Sequence, residues 1–231
     1  GKIDKVIIYN DVLTAGEVTT IYNYGRETGL IGIGNEVSQW EMDTLNPLDV
    51  VEHNPHTTFD GINEYITCGN SSSLSFERTD SFSFSFWMNK DNPISSTILS
   101  KRSINSPNRG YGVASQPGGE LFITLVGNGG SNLLTVQTNN SFTLNEWYHV
   151  AVTYNGLSNG TSITIYVNGV VESYTITNNT LSTTIQNTKT FNIGTRDIIE
   201  LGNYFPGKID KVIIYNDVLT AGEVTTIYNY G

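Results

Sequence analysis

The sequence predicts an all-β fold, an antiparallel sandwich of two sheets that ends in a short helix. Apolar and polar residues alternate with period two along several runs, and turns containing Gly or Asn separate these runs. No long helical period is present over residues 41–206. The chain has 231 residues, and chains above roughly 150 residues bury about 70% of their unfolded surface. A core of its own is therefore expected, with a dozen or more strands around it.

Alternation and turn chemistry predict the individual strands. Phe82, Phe84 and Phe86 alternate with serines, which predicts a strand with one buried aromatic face. Alternation over 163–167 leads into Asn168-Gly169. Asn-Gly between apolar runs strongly favours a hairpin, because both turn residues must adopt positive φ. Further strands are predicted over residues 121–126, 148–154 and 191–193.

The last 25 residues predict one strand followed by one helix. Residues 212–215 are apolar on both faces, as expected of a strand that is covered on both sides. Thr220 and Glu223 have the spacing of a capping box, and Leu219 and Val224 have the spacing of a hydrophobic staple. These four residues predict a short helix that begins after Thr220.

This C-terminal segment also occurs near the start of the chain. Residues 1–25 and 207–231 are both GKIDKVIIYNDVLTAGEVTTIYNYG, at an offset of 206 residues (207 − 1). Self-similarity at a fixed period is typical of repeat arrays, and this period has the length of a whole domain. We therefore expect residues 1–25 to be the closing strand and helix of a preceding identical repeat. Residues 26–37 are expected to link the repeats, and residues 38–231 to form the sandwich domain.

Composition limits the classes of partner. The chain has 12 basic and 22 acidic residues, a formal net charge of −10. This balance disfavours nucleic acid and anionic lipid, which require clusters of Lys and Arg. No apolar run reaches 18 residues, so no membrane span is predicted. Cys68 is the single cysteine and cannot form an internal disulfide. Glycosylation acceptor sequons are present at Asn70, Asn139, Asn159 and Asn178.

Seven short motifs, from about residue 38 to the end of the chain, together resemble a known family. In order they are Gln39–Asp43, Thr58–Gly61, Phe82–Trp87, Asn145–Tyr154, Tyr166–Gly169, Asn192–Gly194 and Phe205–Asp210. Their order resembles the laminin-G-like jelly roll of the concanavalin A-like lectin/glucanase superfamily. The resemblance implies two packed, curved antiparallel sheets whose first and last strands lie close together. It also implies an extracellular, cell-surface or virion-surface binding or adhesion module.

Many members of that superfamily carry a structural calcium ion. In similar folds the ion lies where an Asp-Gly turn near the start of the domain meets an Asp on the last strand. The resemblance assigns these positions to Asp60, Gly61 and Asp210, with Asp4 matching Asp210 in the first copy. Backbone carbonyl groups would complete the six to eight oxygen ligands of calcium. The alternative is that Asp60 is a turn residue and Asp210 a charge at a strand end.

Histidines and acidic residues suggest weaker sites. His53 and His56 beside Glu52 offer ligands to a transition metal, but no Cys partner accompanies them, which disfavours a metal site. His149 lies on an otherwise apolar strand, and we interpret it as a hydrogen-bonded core histidine.

Because the superfamily includes glycoside hydrolases, Glu41 and Asp43 were considered as a catalytic acid pair. Leu45 occupies the place of a third acid, and this stretch lies on the opening strand, where the catalytic pair of those enzymes does not. The sequence therefore predicts no enzyme and no catalytic residue.

The leading functional hypothesis is a non-enzymatic surface or extracellular protein of tandem repeats, whose laminin-G-like domains assemble end to end into a fibre or appendage. The repeated closing element supports it: one copy could complete a neighbouring sandwich, end a preceding domain in a longer polymer, or dock incidentally. The alternative is an independent carbohydrate-binding module, and a glycoside hydrolase is less favoured. Tyr111 beside Asn108 and Arg109, and the loop 128–130, combine aromatic or polar groups of the kind that bind sugars, but such neighbours arise by chance in a chain with 13 Tyr and many Asn, so no sugar site is assigned.

Overall fold

A computed structural model describes residues 36–40, 56–102, 105–129, 131–197 and 203–230. These residues form fourteen strands, two 3-10 turns (Ser72–Leu74 and Gly160–Ser162) and one α-helix, α1 (Ala221–Tyr230). The strands are β1 (Glu36–Trp40), β2 (Thr57–Asp60), β3 (Ile66–Thr67), β4 (Phe82–Lys90), β5 (Ser96–Arg102), β6 (Gly110–Ser115), β7 (Leu121–Asn128), β8 (Asn132–Thr138), β9 (Trp147–Tyr154), β10 (Ile163–Val167), β11 (Val170–Glu172), β12 (Tyr174–Asn179), β13 (Asn192–Ile193) and β14 (Pro206–Tyr215).

The strands form two antiparallel sheets of seven strands each. The first sheet has the order β1-β14-β4-β9-β10-β11, and β2 also pairs with β14. The second sheet has the order β12-β8-β7-β6-β5-β13-β3. β14 pairs with β1 over Val212–Tyr215 and with β2 over Pro206–Ile209, so the first and last strands are neighbours as the resemblance implied. The predicted all-β sandwich with a C-terminal helix is confirmed.

Turn chemistry predicted the β10–β11 hairpin correctly. Asn168 and Gly169 have φ angles of 50° and 78°, the positive values that a two-residue hairpin turn requires. The side chain of Asn168 also accepts a hydrogen bond from the backbone N–H of His149 on β9. The turn is thereby fixed to the next strand of the sheet.

The main core lies between the inner faces of the two sheets. A buried apolar cluster fills it, including Phe82, Phe84 and Phe86 of β4 with Tyr111 of β6. Their rings pack closely, with centroids of Phe84 and Tyr111 5.4 Å apart. Cys68 packs at the edge of this cluster, and burial raises the pKa of its thiol to about 11. Cys68 therefore packs against the core as a half-buried residue.

A second, smaller core lies on the outer face of the first sheet, beneath α1. It consists of Ala151, Tyr166, Ile213, Tyr215, Leu219, Val224 and Ile227. The helix begins with the predicted capping box: the Thr220 hydroxyl accepts from the N–H of Glu223, and the Glu223 carboxylate accepts from the N–H of Thr220. Leu219 and Val224, the predicted staple, are both buried. The helix covers this face of the sheet, so β14 is buried on both sides as predicted.

The serines of β4 are buried as well, because α1 and the turn before it cover them. The Ser83 hydroxyl donates to the carbonyl of Asp217 and accepts from the N–H of Leu219. The hydroxyl oxygen of Ser85 lies within hydrogen-bonding distance, 2.9 Å, of Nε2 of His149. The alternation on β4 therefore separates two buried environments, an aromatic core and a small polar layer that anchors the helix.

His149 is the titratable group at the centre of this layer. It is fully buried, and its ring packs against those of Trp87 and Tyr228, with centroid distances of 5.3 and 5.8 Å. Burial lowers its pKa from 6.5 to about 4. The prediction of a hydrogen-bonded core histidine is confirmed.

Acidification from pH 6.5 to pH 4 is expected to destabilise the sandwich through His149. In this window the unfolded chain takes up a proton that the folded chain does not, which lowers the free energy of unfolding by up to about 3 kcal/mol. The His149→Gln variant keeps an Nε group for Ser85 and should lose this part of the pH dependence. Urea unfolding at several pH values measures it, with His56→Gln as the control. Equal pH dependence in wild type and His149→Gln would contradict the assignment.

Candidate functional site

The outer face of the second sheet carries a cavity of about 320 Å³, which we call the outer groove. It is lined by Ser95, Ser96, Thr97, Ser100, Arg102, Gly112, Val113, Ala114, Ser115, Gln116, Phe122, Thr124, Leu133, Thr135, Asn178, Arg196 and Asn203. Side chains alternate between the faces of a sheet, so the neighbours of many of these residues point into the core. Leu99, Ile123 and Leu134 are such neighbours, and they are buried in the main cluster.

One row of small and polar residues crosses the floor of the outer groove. The strand register places Ser100 opposite Gly112, Gly112 opposite Thr124, and Thr124 opposite Thr135. Asn178 continues the row beyond Thr135. From Ser100 to Thr135 the row spans three strand spacings, about 14 Å. Gly112 deepens the floor, because a Cβ there would lie only 3.0 Å from the carbonyl oxygen of Leu99.

Two hydroxyl groups of this row have no hydrogen-bond partner among the described residues. They belong to Ser100 and Thr135, which are 1% and 0% exposed. A buried hydroxyl without a partner costs about 1–3 kcal/mol, so native proteins rarely retain one without a reason. A ligand that supplies hydrogen bonds to these groups would be such a reason.

Two arginines lie at one side of the polar row. Arg102 is two residues beyond Ser100 on the same face of β5, and Arg196 follows β13. Asn108 holds both: its carbonyl oxygen accepts from Nε of Arg102, and its Oδ1 accepts from Nη2 of Arg196. Asn108 has a φ of 61°, a conformation that Asn adopts more readily than most residues. The two guanidinium groups are therefore both held beside Asn108 at the groove.

Phe122 lies on the opposite side of the row. It is two residues before Thr124 on β7, faces outward and is half-buried. An aromatic face beside several polar groups is typical of small-molecule sites, where the ring supplies contact area and the polar groups fix orientation. The outer groove therefore combines an aromatic wall, a hydroxyl-lined floor and a cationic wall.

Tyr111, at which the sequence assigns no sugar site, lies in the main core. Its side chain points into the main core, is 1% exposed, and donates its hydroxyl hydrogen to the carbonyl of Leu74. Tyr111 is an inward residue of β6, since it alternates with the outward Gly112. Of its neighbours, Asn108 supports the two arginines, and Arg109 donates to the carbonyl of Gly127 instead. In the loop 128–130, the N–H of Gly129 donates to the carbonyl of Pro107.

The structure does not bring the predicted calcium ligands together. Asp60 pairs with Pro206 across the β2–β14 register, and Asp210 lies four residues further along β14, about 13 Å away. Ligands of one calcium ion all lie within 2.3–2.6 Å of it, so Asp60 and Asp210 as placed do not fit one shared ion. The Asp60 carboxylate accepts from the N–H groups of Ile62 and Asn63, which lower its pKa and make it the capping group of the turn that contains Gly61.

Asp210 is buried and accepts from the N–H of Lys211. Among the described residues, no group of three or more His, Cys, Asp or Glu side chains is arranged to hold a metal ion. Calcium binding itself stays a prediction.

The remaining predicted positions lie outside the described residues or outside the groove. Glu52, His53 and the acids Glu41 and Asp43 belong to the part of the chain that the structure does not describe. His56 packs edge-on against Trp147, with ring centroids 5.5 Å apart. No described helix is long and apolar enough to cross a membrane.

Sequence reasoning missed the groove residues themselves. Ser100, Thr124 and Thr135 resemble ordinary outward positions of half-exposed strands, and only the register shows that they form one row. Phe122 carried a usable signal, since Ile123 and Leu125 define the inward positions of its strand and leave an aromatic residue on the outward face. Arg196 lies in a loop and carried no such signal.

The comparisons with known proteins agree on the fold. A family model, Laminin_G_3 of the concanavalin A-like lectin/glucanases superfamily, matches residues 60–225. No curated protein sequence matches the chain.

Three similar solved structures illustrate the range of proteins with this fold. The binding domain of Paraclostridial Mosquitocidal Protein 1 is 18% identical with a TM-score of 0.58, covering 84% of this chain and 52% of that domain. The CBM40 of the Ruminococcus gnavus IT-sialidase, bound to α2,3-sialyllactose, is 13% identical with a TM-score of 0.58, covering 85% of this chain and 100% of the other. A Trypanosoma rangeli sialidase is 15% identical with a TM-score of 0.54, covering 73% of this chain and 26% of the enzyme. The chain thus spans about half of the toxin domain and a quarter of the sialidase.

The Thr135→Val variant is expected to be more stable than wild type by about 1 kcal/mol, because it removes a buried hydroxyl that has no partner. Thr138→Val on the same strand is the matched control. The Thr138 hydroxyl accepts from the N–H of Leu121 and donates to the carbonyl of Asn140, so its loss should destabilise the fold. Urea unfolding compares the two variants. A loss of stability in Thr135→Val would show that the hydroxyl serves the fold.

Proposed function

The chain belongs to the concanavalin A-like lectin/glucanase superfamily, and we propose that it is an extracellular carbohydrate-binding module that holds a saccharide in the outer groove. The observation that carries this proposal is the pair of unpartnered hydroxyls, those of Ser100 and Thr135, on the outer face of the second sheet, whereas α1 covers the outer face of the first. A saccharide presents many hydroxyl groups, each both donor and acceptor, and could pair with Ser100 and Thr135 together. Phe122 would pack against the apolar face of a sugar ring.

The structural neighbours support the proposal at the level of the fold. One of them is a carbohydrate-binding domain solved with α2,3-sialyllactose, and another is a toxin binding domain. At identities of 13–18% these likenesses carry no residue assignments.

Binding rather than hydrolysis is proposed because of the chemistry of the groove. Most glycoside hydrolases use a pair of carboxyl groups on either side of the scissile bond. No Asp or Glu is among the described residues that line the outer groove. The groove offers hydrogen-bonding and stacking groups, which orient a sugar without cleaving it.

Replacing Phe122 with Ala should weaken glycan binding at least tenfold, about 1.4 kcal/mol, because the aromatic wall of the groove is lost. A glycan array of neutral and acidic glycans would identify ligands of the full chain, and isothermal titration calorimetry would give the affinities. Val171→Ala, on β11 of the other sheet and exposed, is the control and should bind as wild type does. If wild type retains no glycan, or Phe122→Ala binds as tightly as wild type, the outer groove is not a sugar site.

A second candidate function, end-to-end assembly, is favoured by the identity of residues 1–25 with residues 207–231. Residues 207–230 contribute nearly all of β14 and the whole of α1, and so they supply one strand and the helix that covers it. Residues 1–25 carry the same side chains and would fit the same place in another copy. We propose that this exchange links copies head to tail, with each sandwich completed by its neighbour. Residues 1–35 lie outside the described part of the chain.

Matched substitutions in the two copies test this exchange. Ile214 is fully buried between β4 and β1, so Ile214→Asp should unfold a sandwich that depends on residues 207–231. If residues 1–25 replace them, Ile214→Asp remains folded as oligomers, Ile8→Asp remains folded, and the double variant unfolds. Circular dichroism with light scattering on a size-exclusion column measures folding and mass. An Ile214→Asp variant that is unfolded, or that is folded as a monomer, would overturn end-to-end assembly.

A further inference from the structure

The cationic wall of the outer groove contrasts with the rest of the protein. The chain has a formal net charge of −10, yet the described lining of the groove contains two arginines and no acidic residue. Arg102 and Arg196 both donate to Asn108, which brings two positive charges to one end of the polar row. Two like charges that donate to the same residue lie close together and repel each other.

The electrostatics of Arg102 reflect this arrangement. Burial, and after it the positive charge of Arg196, together lower its pKa to about 10. An anion placed between the two guanidinium groups would relieve their repulsion and form charge-assisted hydrogen bonds, which are about twice as strong as neutral ones. Guanidinium is the side-chain group best suited to oxyanions, because its N–H donors form a fork that matches two oxygens of the anion.

We propose that the outer groove binds an acidic saccharide, and that Arg102 and Arg196 bind its carboxylate or sulfate group. This inference rests on the proposed carbohydrate-binding function and specifies its ligand class. Ser100 lies two residues from Arg102 along β5, about 6.5 Å away, so a sugar ring over the hydroxyl row places an attached anionic group at the arginines. Phe122, beyond the row, then faces the apolar side of the ring.

Matched sugars test the inference by isothermal titration calorimetry on the full chain. Galactose carries a hydroxymethyl group where galacturonic acid carries a carboxylate, and galactose 6-sulfate carries a sulfate. Lactose and α2,3-sialyllactose are a second pair of a neutral and an acidic sugar. We expect the acidic member to bind at least tenfold more tightly, and this preference to shrink when NaCl rises from about 0.05 M to 0.5 M. The carboxylate and sulfate arms distinguish the two sources of the anion.

Two sets of variants assign the preference to the arginines. Arg102→Gln/Arg196→Gln, and the milder Arg196→Gln alone, should lose the acidic preference, measured in each variant as the ratio of its affinities for the acidic and the neutral sugar. Lys208→Gln/Lys211→Gln removes the same charge from β14 of the first sheet and should leave the preference unchanged.

The possible results distinguish failure of this inference from failure of the proposed carbohydrate binding. The inference is overturned if wild type binds the neutral and the acidic sugar of a pair equally tightly. It is also overturned if the acidic preference survives in the arginine variants but not in the lysine variant. Either result leaves carbohydrate binding intact. If no sugar of either kind binds, the proposed function fails and the inference fails with it.

Discussion

The position of β14 is the constraint on which the rest of the structure depends. This strand lies between β4 on one side and β1 with β2 on the other, so its backbone hydrogen bonds hold three other strands in the first sheet. Ile209, Val212 and Ile214 fill the main core, whereas Ile213 and Tyr215 pack under α1. Neither layer could keep its packing without the strand, because loss of buried side chains of this size costs 2–5 kcal/mol each. It follows that the repeated 25-residue segment contains an indispensable structural element.

The helix that follows β14 makes the two sheets unequal. On the first sheet it covers the outer face, and Ser83 fixes the turn before it through two hydrogen bonds. On the second sheet the outer face carries the groove, where hydroxyls at Ser100 and Thr135 lack partners. The same kind of small polar side chain therefore has opposite consequences on the two sheets. Where a backbone segment supplies a partner, the hydroxyl stabilises the fold; at Ser100 and Thr135, which are buried without a partner among the described residues, the hydroxyl costs stability.

The sequence predicted those parts of the fold that depend on local chemistry. Alternation, the Asn168-Gly169 turn and the Thr220–Glu223 capping box are properties of neighbouring residues, and all three were predicted correctly. The groove depends on which residues of different strands lie side by side, and no local pattern specifies that register. Tyr111 illustrates the difference: its polar neighbours are of the kind that bind sugars, but the register directs its ring into the core. Asp60 and Asp210 were likewise matched by motif and are separated along β14 by register.

The proposed sugar binding and the proposed assembly are physically compatible because they would use opposite sheets. β14 and α1 belong to the first sheet, whereas the polar row and the arginines belong to the second, and the groove residue nearest to β14 in the chain, Asn203, precedes the repeated segment. Exchange of residues 207–231 for residues 1–25 would therefore leave the groove intact. Single sugar sites are generally weak, since a small, hydrated ligand offers few contacts. Linked copies convert a second binding event into an intramolecular one and can raise the apparent affinity by about 10²–10⁴. The repeat would thus strengthen glycan binding without any change in the groove.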